Sequence, residues 1–121
     1  MRQAFAHDAV VVMDADGDVS ALGAAVTVAL CGHWEHPPPC PLAPHHTAAE
    51  PTGGEGEVHI RVLFATEAAA ESEVRDRIHD ALAGECFRGP DGVTTHWRLL
   101  RTGPGAVRDD EEEHAARLSG P

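Results

Sequence analysis

The chain predicts an α+β domain: a small antiparallel sheet of about four strands with one helix packed on one face. Three observations carry this. Glu57 to Thr66 (EVHIRVLFAT) alternates with a period of two, Val74, Ile78, Ala81 and Leu82 recur with a helical period, and the other apolar runs are short and bounded by turn residues. A strand–strand–strand–helix–strand order places that helix over a sheet rather than between parallel strands.

His7 to Met13 (HDAVVVM) is an apolar run ending at Asp14-Ala15-Asp16-Gly17-Asp18, which predicts a strand and a turn. That turn lacks a calcium loop's spacing, because Gly falls at the fourth place and Ala25 where the bidentate Glu belongs. Ala24 to Trp34 (AAVTVALCGHW) reads as a second strand from its β-branched residues, although Ala21 to Leu30 also suits a helix. In the third strand, Val58, Ile60, Val62 and Phe64 face the core while His59, Arg61 and Leu63 face away. Ala68 to Ala83 is the helix, with Gly84 as its C-terminal stop and acids before basics along its length. Val93 to Arg101 (VTTHWRLLR) is the last strand, with Val93, Thr95, Trp97 and Leu99 on one face. Residues 1–105 form one domain in this reading. Residues 106–121 carry the unbroken run Asp109 to Glu113 and are expected to remain a solvated tail, with a short terminal helix as the alternative.

A net charge of −11, with all nine basic residues Arg, argues against nucleic acid and against anionic lipid surfaces as partners. No apolar run is long enough to span a bilayer, and early acids spoil a signal peptide, so a cytoplasmic protein is expected. An odd number of cysteines, three, suits free thiols or a metal better than a disulfide framework.

Function is sought first between Cys31 and Thr47 (CGHWEHPPPCPLAPHHT), where Cys31, His33, His36, Cys40, His45 and His46 crowd together. Thiolate and imidazole are ligands preferred by zinc and copper(I), and five prolines stiffen the loop before anything binds. If Cys31 and His33 lie on a strand they share a face, and the loop returns Cys40, His45 and His46 towards them. The expectation is a small, non-enzymatic metal-binding protein, zinc first and copper second. No catalytic pattern is complete. His33-Trp34-Glu35 before Pro39-Cys40 fails the zinc-deaminase pattern, since Ala43 stands where a second cysteine belongs. Two alternatives accompany the metal reading. One is a metal-free module that uses the sheet face of His59, Arg61, His96 and Arg98 to receive an anionic ligand or a protein partner. The other is a thiol redox sensor acting through Cys31 and Cys40.

Overall fold

The computed structural model describes residues 2–14, 17–31, 45–52, 56–89 and 92–119. In chain order the elements are β1 (Arg2–Met13), α1 (Ser20–Cys31), β2 (His45–Pro51), β3 (Glu57–Glu67), α2 (Glu71–Ala83), β4 (Cys86–Arg88), β5 (Thr94–Gly105) and α3 (Glu112–Ser119). Short 3-10 turns over Ala68–Ala70 and Asp109–Glu111 lead into α2 and α3. The strands form one antiparallel sheet in the order β2-β3-β1-β5-β4. With α1 and α2 as crossovers, this is a pair of interleaved split β-α-β units, a ferredoxin-like topology.

The α+β class and the single antiparallel sheet follow the sequence reading, while the details differ. There are five strands and three α-helices among the described residues, rather than about four strands and one helix. The segment read as a second strand is α1. Asp18 Oδ1 accepts the backbone N–H of Ser20 at 3.0 Å and its hydroxyl at 2.7 Å, which organises the start of that helix. Ala21, Leu22, Ala25, Val26 and Leu30 are its buried face, a helical spacing. The acidic run, read as a tail with a short terminal helix as the alternative, opens α3, where Glu112 and Glu113 occupy the first turn and stay exposed and Arg117 occupies the last. Those charges match the helix dipole at both ends.

The sheet buries both faces unequally. Val58, Ile60, Val62 and Phe64 of β3 join Ala9, Val11 and Met13 of β1 beneath α1 and α2, together with Val74, Ile78 and Leu82. Trp97 closes this core and donates its indole N–H to Leu82 O at 2.8 Å, tying β5 to the end of α2. On the opposite face a smaller cluster of Ala6, Leu63 and Ala115 sits under α3. The chain leaves α2 through Glu85, whose φ of 61° lies in the left-handed region. Its carbonyl accepts Trp97 N–H at 2.9 Å and its carboxylate accepts Leu99 N–H at 2.7 Å, so two hydrogen bonds offset the backbone strain.

His7 is the buried titratable group on the helix side. Arg75 Nη1 donates to its Nδ1 at 3.1 Å, so its Nε2–H donates to Thr102 Oγ1 at 2.8 Å. Burial, with Arg75 beside it, lowers its pKa from 6.5 to about 4. The unfolded chain therefore binds a proton here before the folded one does. Stability is full above pH ~6.5 and falls as the pH drops towards ~4, by an amount on the order of 3 kcal/mol for this group. Urea denaturation at pH 7 and pH 4.5 measures the loss, and His7→Gln is expected to remove most of the difference between the two pH values.

Candidate functional site

The metal reading is overturned. Among the described residues no group of three or more His, Cys, Asp or Glu side chains is placed to hold a metal ion. Cys31 ends a helix rather than lying on a strand. His33, His36 and Cys40 lie outside the described residues, and with Cys40 so does the second member of the Cys31–Cys40 redox pair. His45 and His46 are adjacent on β2, opposite Phe64 and Leu63 of β3, and therefore point to opposite faces of the sheet. His45 Nε2 lies 3.1 Å from Thr27 Oγ1 on α1, whereas the His46 ring packs on His114 of α3 with centroids 4.8 Å apart. Two imidazoles separated by the sheet do not share an ion. The described free thiol is the exposed Cys86, opposite His96 at the β4–β5 edge.

The face opposite α1 and α2 holds the polar site instead. Arg61 is 7% exposed and central to it. Its Nη1 donates to both oxygens of Asp8 at 3.0 Å. Its Nε and Nη2 form a fork onto Glu111 at 2.8 and 2.6 Å, and Nη2 also donates to Ala106 O. Every nitrogen of the guanidinium is thereby engaged, and the bond from Glu111 raises its pKa further. Arg61 thus lies on the face the sequence assigns it but is not available to a ligand.

Asp8 has a second partner, His59 Nε2, at 3.0 Å. The register explains the convergence: Asp8 stands between Arg61 on β3 and Gly103 on β5, and Val10 stands between His59 and Arg101. Gly105 is required where the clamp is tightest. A Cβ there would fall 2.0 Å from Asp8 Oδ2, so any side chain would force Asp8 out of its present place on Arg61.

A groove of about 400 Å³ opens beside this network. Asp8, Val10 and Gly103 line it from the sheet, with His59, Arg101 and Arg108 adding polar and cationic side chains. Arg101 is there because the β1–β5 ladder shifts between Val10 and Val11: Val10 pairs with Arg101 but Val11 pairs with Leu99. Leu100 is the extra residue. Strict alternation from Thr95, Trp97 and Leu99 would turn Arg101 towards the helices, and the bulge re-aims it to the open face. The exposed Arg101 has no ion-pair partner among the described residues. Arg108 is placed by Glu111, which accepts its backbone N–H at 2.9 Å. His96 and Arg98 occupy the same face but do not line the groove, so the four-residue patch read from sequence is only partly assembled.

The Arg61 bond holds Glu111 at a pKa of about 2, well below its ordinary 4.5. A depressed carboxylate contributes stability above its unfolded pKa and loses it as the pH falls towards the folded one. Acid between pH ~4.5 and ~2 is therefore expected to release α3 from the sheet. Glu111→Gln should release it at neutral pH, at a cost of about 3–5 kcal/mol if the buried guanidinium finds no other partner. Amide hydrogen exchange localised to residues 106–119 measures both effects. No family model, curated protein or solved structure matches this chain at a significant level.

Proposed function

We propose that the chain is a binding module for a small organic anion, received in the groove between β1, β5 and the segment leading to α3. The carrying observation is the bulge at Leu100, which turns Arg101 into the groove on the same side as Arg108. A guanidinium presents a planar fork of donors that matches a carboxylate or phosphate, and one without a protein partner is free to offer it. The groove's size is that of small-molecule sites, which combine apolar lining with a few polar anchors. Val10 supplies the apolar wall. Gly103 adds no bulk, since a Cβ built there meets nothing within 4 Å.

That open space also gives a clean test. Gly103→Val has room for its side chain and should leave the thermal midpoint within ~2 °C while filling the groove. Arg101→Ala removes the cation without breaking an ion pair among the described residues. Calorimetric or NMR titration with benzoate and inorganic phosphate is expected to give saturable binding to the unaltered chain, weakened about 10-fold or more by Arg101→Ala and abolished by Gly103→Val. Binding should weaken as salt rises, because the contact is charge-assisted and partly exposed. Saturable binding that neither substitution alters would place the anion site elsewhere, and no saturable binding of either anion would refute the reading.

A further inference from the structure

We infer that the groove is also a proton-transfer site, in which His59 acts as a general base on a small carboxylate carrying an enolisable carbon. This rests on the anion-binding reading and extends it from holding a ligand to changing one. Three roles needed for carbon-acid chemistry converge there: a base, a group that orients it, and cations where negative charge develops.

The base is His59. Its Nε2 lies 3.0 Å from Asp8 Oδ1, so in the neutral ring the proton sits on Nε2 and Nδ1 carries the basic lone pair. Both residues line the groove, and both are about 30% exposed at the side chain, within reach of a ligand. Asp8 cannot swing away, because Arg61 holds both of its oxygens. This is the arrangement in which a carboxylate fixes an imidazole's tautomer and stabilises the imidazolium that forms.

Arg61 contributes one positive charge, against one negative charge each from Asp8 and Glu111, so the bonded network carries an excess negative charge while His59 is neutral. Glu50, opposite His59 on β2, adds a further exposed carboxylate, while Arg101 and Arg108 oppose it from the groove.

The step balances without a co-reactant. The C–H bond beside the substrate carbonyl breaks, and its proton bonds to His59 Nδ1. The electron pair moves into the new C=C bond, and the carbonyl electrons move onto oxygen as an enolate. Arg101 and Arg108 provide the positive charge for the substrate carboxylate and that enolate. Return of the proton to the same carbon gives exchange with solvent; return to a conjugated carbon gives an isomer.

The test uses the full chain in D2O with pyruvate and 2-oxobutanoate as probes and acetone as the probe lacking a carboxylate. Loss of the proton NMR signal beside the carbonyl reports exchange, and titration of the same samples reports binding. The expected result is saturable acceleration for the two acids and none for acetone. His59→Gln should lower the acceleration at least ~100-fold with affinity within ~3-fold, while His96→Gln, outside the groove, changes neither. Nitrogen-15 spectra of the unaltered protein read the tautomer without any variant; a proton on Nδ1 at neutral pH would overturn the role given to that atom. Bound acid that exchanges only at the buffer rate, or exchange unchanged in His59→Gln, overturns the base and leaves the binding reading standing. Failure of both acids to bind overturns the base, and the binding reading falls with it only if benzoate and phosphate fail to bind as well.

Discussion

The buried guanidinium of Arg61 is the constraint around which the open face of the sheet is arranged. A cation this far from water is costly unless it is paired and fully hydrogen-bonded, and the effective penalty is several kcal/mol per ion. Asp8 from β1, Glu111 at the start of α3 and the Ala106 carbonyl meet that requirement together. The consequences run outward through the structure. Position 105 must lack a side chain so that Asp8 can close on Arg61. The chain after β5 must turn back over the sheet, which brings Ala115 onto Ala6 and Leu63. Arg108, three residues before Glu111 and bonded to it through its backbone, is then carried to the groove.

The two faces of the sheet divide the work of stability and of chemistry. Towards α1 and α2 the sheet is apolar, and its buried histidine is kept neutral by burial and by the Arg75 guanidinium beside it. The other face is covered by α3 only at the end carrying Ala4, Ala6 and Leu63. An eight-residue helix rises about 12 Å. The neighbouring part of that face, from Asp8 to Val10 on the central strand, lines a groove instead of a core. That groove is built mainly on central strands, and its Arg108 side comes from a segment held by the Arg61–Glu111 pair and by the apolar cluster of Ala6, Leu63 and Ala115.

Much of this was legible from sequence, and the failures have physical causes. β3 and α2 could be read because polar and apolar residues contrast at the right period; Val58, Ile60, Val62, Phe64, Val74, Ile78 and Leu82 are all buried. α1 was misread because Ala21 to Leu30 offers almost no polar contrast, so strand and helix periods fit equally. The informative signal was outside the run, in the Asp18-Val19-Ser20 cap. β2 was hidden behind the metal-ligand reading of His45 and His46, although strand alternation alone separates adjacent side chains. α3 was hidden by its charges, because an acidic block suits a solvated tail and a helix N-terminus equally well until Ala115 and Leu118 are given a surface to cover. The face of His59, Arg61, His96 and Arg98 was placed correctly, but burial removed Arg61 from service. Arg101 was missed because alternation carries no information across a bulge. Leu99-Leu100, two large apolar residues in succession on a strand, was the sign that the period slips there.

Net charge and site charge are separate questions in this chain. A total of −11 weighs against a long polyanion, which must face many of the protein's acids at once. A small anion does not integrate over the whole surface. At physiological ionic strength charges beyond about 8 Å are largely screened, so a ligand in the groove responds mainly to the nearest groups. Those are Arg101 and Arg108, with His59 and Asp8 beside them, and Asp8 shares the single charge of Arg61 with Glu111. An extended anionic polymer would have to face the remaining acids, while the groove presents two guanidiniums and little steric bulk. Composition therefore bears on the kind of anion received, and the register shift at Leu100 bears on whether one is received at all.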